Sequence, residues 1–111
     1  MAALPIITGD DLADRLGGTP NPETVALLAE AASNMVAALV TMPADPDPWP
    51  AEVTGAALGV GADLYKAATG TGGGYQLDAT SYTDVYRMTA TFLRRYEPML
   101  ATVRATGGMA G

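Results

Sequence analysis

Apolar residues recur along this chain at alternating three- and four-residue steps in four separate series, which predicts four amphipathic helices. In "ITGDDLADRLGG", Leu12 and Leu16 share one face and Ile6 or Ile7 stands just ahead of it. Thr8 is placed to cap this first helix, Asp10 and Asp11 sit where the helix dipole favours anions, and Gly17 or Gly18 ends it. The second helix starts with Asn21 as cap and Pro22 in the first turn, and its seam is Val25, Leu28, Ala32, Met35 and Leu39. "TMPADPDPWPAE" breaks the series, because its prolines remove donors and push the preceding residues toward extended conformations. Trp49, within it, is expected to plug the core edge. The third helix runs from Pro50 or Ala51 to about Ala68, with Val53, Ala57, Val60, Leu64 and Ala67 as its seam.

Three glycines inside that third helix, Gly55, Gly59 and Gly61, each cost about 1 kcal/mol relative to Ala, so a close approach by a neighbouring backbone is expected to offset them. A fourth series follows, capped by Ser81 or Thr83, with Val85, Met88, Phe92, Tyr96, Met99, Leu100 and Val103. Pro98 should kink it, since its ring clashes with the carbonyl of Arg94. The expectation is an all-α fold: a small bundle of about four helices, a Gly-rich loop between helices 3 and 4, and a flexible C-terminal tail. One domain spans residues 1–111, with a helical body to residue 104 and the tail over 105–111. The weak point is "GGGYQLDATSY", where alternating Tyr75, Leu77 and Ala79 also suit a short hairpin.

Composition narrows the chemistry. The apolar half of the chain rests on twenty-one alanines, which favours helices packed through small residues. Cys and His are both absent, which removes disulfides, thiolate and imidazole metal sites and the commonest general base. No enzyme, metal or cofactor is expected. The longest apolar stretch, around Val36–Met42, is far short of the roughly 20 residues of a membrane span. The first residues lack a basic region of the signal-peptide kind, so a soluble cytosolic protein is the expectation.

The glycine cluster Gly70, Gly72, Gly73, Gly74 is no phosphate cradle: it lacks the Lys and hydroxyl of a Walker loop and follows a helix where a dinucleotide fingerprint follows a strand. Asp10, Asp11 and Asp14, and the proline-spaced Asp45 and Asp47, read as solvated charge. Net charge is −6 and uneven. Residues 1–86 hold eleven acids against Arg15 and Lys66, a balance of −9, while residues 87–111 hold Arg87, Arg94, Arg95 and Arg104 against Glu97, a balance of +3. Such an acidic body argues against sequence-specific DNA recognition. It suits a protein that touches different partners at its two ends, although lopsided charge is also common in small helical proteins.

The order of "ITGDDLADRLG", "ETVALLAEAASNMVAALV", a proline connector, "AALGVGADLYKAATGTGGGYQLD" and "MTATFLRRYEPML" resembles the head-to-tail adaptor (connector) proteins of tailed bacteriophages, over nearly the whole chain. "DLYKA", the glycines after it and "LRRYEPML" are its most telling pieces. The resemblance implies a structural virion protein made in the host cytoplasm and placed in the neck at the portal vertex. It implies partners too: the portal protein, other copies in a ring of typically twelve, a stopper or tail-side connector, and DNA that passes through the channel without sequence-specific binding. No membrane is involved. In that family the loop after the third helix and the C-terminal segment commonly make assembly contacts, here Gly70–Ser81 and Arg94–Gly111. The candidate interface residues are therefore Gly72, Gly73, Gly74, Tyr75, Leu77, Tyr82, Arg94, Arg95, Tyr96 and Arg104. Three alternatives stay open: the glycine loop as a plain surface linker, the whole chain as a small regulatory or antitoxin-like module that grips one partner protein, and, more distantly, an enzyme that uses Lys66 or paired acids.

Overall fold

The computed structural model describes residues 6–40, 49–70 and 81–100. They form four α-helices, α1 (Gly9–Leu16), α2 (Pro22–Leu39), α3 (Ala51–Ala68) and α4 (Tyr82–Leu93), and a 3-10 helix over Arg94–Leu100. There is no strand among the described residues, so the fold is a compact all-α bundle. The hairpin alternative, the stretch 71–80, the tail and Val103 lie outside the described residues.

Local chemistry explains the boundaries. The Thr8 hydroxyl accepts from the Asp11 N–H at 3.2 Å while the Asp11 carboxylate accepts from the Thr8 N–H at 2.9 Å, a reciprocal cap that satisfies two donors at the start of α1. Gly17 stops α1 at φ 74°, a left-handed value that a side chain disfavours. Asn21 Oδ1 accepts from the Glu23 and Thr24 N–H groups, with Pro22 opening α2. Pro50 starts α3 without a side-chain cap. Ser81 caps α4 by accepting from the Asp84 N–H at 3.2 Å.

α3 is the central helix. All five residues of its predicted seam are buried, and Ala56, Gly59, Gly61 and Ala62 are buried as well, so it is covered around most of its circumference. α1, α2, α4 and the 3-10 helix all pack on it, and α1 and α4 each also pack on α2. Phe92, Leu12, Leu28, Leu64 and Leu100 form the fully buried centre, and Trp49 closes its edge.

Three expectations need correction. In α2 the buried line is Val25, Leu28, Ala29, Ala32 and Val36, with Met35 and Leu39 only half-buried. Eleven residues complete about three helical turns, so Val36 and not Met35 returns to the face of Val25. Met99, expected in the core, is 43% exposed, because the switch to 3-10 geometry at Arg94 changes the spacing by which later residues return to one face. The α3 glycines, finally, are filled by side chains and not by a neighbouring backbone: a Cβ at Gly59 would stand 2.4 Å from the Tyr96 ring, and one at Gly61 3.1 Å from both Leu12 methyls. Backbone approach occurs instead at Gly9, where a Cβ would lie 3.2 Å from the Ala26 Cα, joining α1 closely to α2.

Candidate functional site

Of the candidate interface residues, Gly72, Gly73, Gly74, Tyr75, Leu77 and Arg104 lie outside the described residues. Tyr82 opens α4, and its side chain is also outside them. Arg94, Arg95 and Tyr96 follow one another at the point where α4 turns into the 3-10 helix. That change begins four residues before Pro98, where the proline ring would meet the Arg94 carbonyl of a continued α-helix.

The tightened turn sends the three side chains to different surroundings. Arg94 is exposed. The Arg95 guanidinium sits 5.0 Å from the centroid of the Phe92 ring and donates to Asp63 Oδ2 at 3.3 Å. Tyr96 lays its ring on Gly59 and donates its hydroxyl to the same Asp63 oxygen at 2.9 Å. Arg95, a candidate interface residue, thus has an acidic partner within its own chain, Asp63.

Asp63, Arg95 and Tyr96 thus form a clasp that holds the 3-10 helix along α3. Burial first, then the hydrogen bond and the charge of Asp63, raise the Tyr96 phenol above its ordinary value of 10.0. The Arg95–Asp63 pair is half exposed on the arginine side, so its own contribution is about 0–1 kcal/mol. The packing of the ring into the space left by Gly59 matters more. Chemically the clasp positions chain, with the Tyr96 hydroxyl and the Arg95 guanidinium converging on one Asp63 oxygen.

Sequence reasoning missed Asp63, because its partners lie 32 and 33 residues downstream. It also missed Ser33, which is 4% exposed and ties the residues before α1 to α2: its hydroxyl accepts from the Ile7 N–H at 3.0 Å and donates to the Ile7 carbonyl at 3.2 Å. The available signal was a lone polar residue among Ala29, Ala32 and Val36.

Elsewhere, an open groove of about 380 Å³ runs between the starts of α1 and α2, past Thr8, Gly9, Pro20 and Pro22. Its Thr8 hydroxyl already serves as a helix cap. Among the described residues no three carboxylates gather in a metal-binding group, and no helix is long and apolar enough to cross a membrane. No family model, curated protein or solved structure matches the chain.

Proposed function

We propose that the chain is a head-to-tail adaptor subunit of a tailed bacteriophage, assembling as a ring beneath the portal that extends the DNA channel and joins capsid to tail. The observation that carries this reading is the placement of the two segments on which the family resemblance rests. "AALGVGADLYKAA" is α3 and "MTATFLRRYEPML" is the end of α4 with the 3-10 helix, and they pack together through Gly59–Tyr96 and Asp63–Arg95.

The described residues that border the two expected contact regions also fit this reading. The glycine-rich segment continues from the C-terminal end of α3, while Met99 stands over Gly55 in the N-terminal half of α3. Gly55 and Ala68 are thirteen residues apart, or roughly 20 Å along a helix. Gly70 and Met99, the described residues that border those regions, meet α3 about that far apart, and two separate contact surfaces on one subunit suit a heterologous interface, the kind that closes rings. The excess of acid over residues 1–86 suits a channel wall that repels DNA phosphates and so lets the duplex slide.

Native mass measurement and low-resolution imaging test the proposal, on the purified protein alone and mixed with the portal from the same genome. The expected result is a ring of about twelve subunits, free or seated on the portal. A protein that stays monomeric or dimeric alone and does not bind the portal overturns the proposal in favour of a partner-binding module.

A further inference from the structure

Two outward-facing helix crests of this chain match each other residue for residue. On α4 the line away from the core is Thr83, Arg87 and Ala90, continued by Arg94 at its C-terminal cap; on α2 it is Glu23, Leu27, Glu30 and Asn34. Both advance by four, three and four residues, which keeps each line on one side of its helix. All eight residues are exposed except Ala90, which is half-buried. Leu27 is 46% exposed and Tyr86, flanking the α4 crest, is 57% exposed, although both are large apolar side chains.

Laid antiparallel, the two crests pair without a clash of charge. Glu23 falls opposite Arg94, Leu27 opposite Ala90, Glu30 opposite Arg87, and Asn34 opposite Thr83. The Glu23–Glu30 and Arg87–Arg94 separations are both seven residues, about 10 Å along the axis, so both ion pairs form in one register. Ala90 leaves room for Leu27 between them, and Tyr86 lies beside that contact. Arg87 also pairs with Asp84 on its own helix, through one guanidinium nitrogen, and keeps further N–H groups for a second acid.

One chain cannot make this contact with itself, because α2 and α4 pack on each other inside the bundle while both crests face outward. We propose that the α4 crest of one copy docks antiparallel on the α2 crest of the next. The contact is heterologous and leaves each copy with one unused crest of either kind, so copies add in one direction until a ring closes. This names the subunit-to-subunit surface of the proposed ring and rests on that reading. α1, α2 and α3 carry at most one cation each, so no other crest on these helices offers the α2 glutamates two arginines.

The test is a charge swap read by native mass on the full chain, alone and on the portal. Arg87→Glu/Arg94→Glu and Glu23→Arg/Glu30→Arg are each expected to need at least about tenfold more protein to assemble than the parent. An equal mixture of the two variants restores assembly, because the acidic α4 crest of the first meets the basic α2 crest of the second, the unchanged α4 crest of the second meets the unchanged α2 crest of the first, and the two alternate around the ring. All four residues lie outside the core, and circular dichroism on each variant verifies that the helices remain. If the parent assembles and both variants do so equally well, or if mixing restores nothing, this surface is wrong while the ring reading stands. A parent that forms no ring, alone or on the portal, overturns both.

Discussion

The sharpest test of the packing is the addition of one carbon. In Gly59→Ala, the new Cβ would stand 2.4 Å from Tyr96 Cε1, 2.5 Å from Cζ and 2.9 Å from the hydroxyl oxygen, closer than any real contact. The ring must leave, and its hydrogen bond to Asp63 leaves with it. On a solvent-facing helix site the same substitution stabilises by about 1 kcal/mol. Here overpacking opposes it by about 1–3 kcal/mol and the lost hydrogen bond by about 1 kcal/mol. The expected net loss is about 1–3 kcal/mol, a fall in Tm of roughly 5–20 °C for a domain of this size. Thermal and urea melts followed by circular dichroism and by Trp49 fluorescence measure it.

The control is the same change in a Tyr96→Ala background, where the space above Gly59 is open. There Gly59→Ala should stabilise by about 1 kcal/mol, so the cycle isolates a coupling between positions 59 and 96. If Gly59→Ala raises the melting temperature equally in both backgrounds, the ring does not occupy that space and the clasp argument fails.

The other two α3 glycines should separate in the same melts. Gly55→Ala meets only the end of the half-exposed Met99 side chain and should stabilise by up to about 1 kcal/mol, whereas Gly61→Ala presses on fully buried Leu12 and should destabilise by about 1–3 kcal/mol. Ser33→Ala leaves the Ile7 N–H and carbonyl without their hydroxyl partner in a buried place, and should cost about 1–3 kcal/mol by urea titration. Tyr96→Phe should lose about 1 kcal/mol at neutral pH. Because the folded phenol is raised above its ordinary value, its contribution is whole below pH 10.0 and is lost as pH rises through the folded pKa, so the parent should lose its advantage over Tyr96→Phe as pH rises above 10.0. A parent-minus-variant difference that stays constant across that range would remove the Asp63–Tyr96 bond from the account.

The helices were legible because each start carries its own chemistry within four residues: Thr8 with Asp11, Asn21 before Pro22, Pro50 before Ala51, Ser81 before Asp84. The α3 seam was legible because a single helix buried around most of its circumference tolerates any register. The α2 seam was read one residue off because three-residue and four-residue steps look alike until a packed neighbour fixes which follows Ala32. The glycines of α3 were visible as an anomaly, but their occupants were not. Tyr96 comes from 37 residues downstream of Gly59, and periodicity along a chain carries no information about which distant side chain fills a gap.

The same limit governed the candidate site. Asp63 looked like any acid on an amphipathic helix, yet it binds both Arg95 and Tyr96, whereas Arg94 continues the outer line of α4. That division has a consequence for the two charged regions of the chain. Asp84–Arg87 lies within one helix and Arg95–Asp63 is half exposed, so each contributes about 0–1 kcal/mol, and the segregation of acid from base adds little to folding. A charge pattern that folding hardly uses is free to serve association, where opposed potentials set register and speed encounter. On the proposed assembly, Arg95 and Tyr96 hold the subunit in shape while Arg87 and Arg94 face a neighbour. The distinction is measurable: Tyr96 variants should shift melting before assembly, and Arg87 and Arg94 variants should shift assembly without melting.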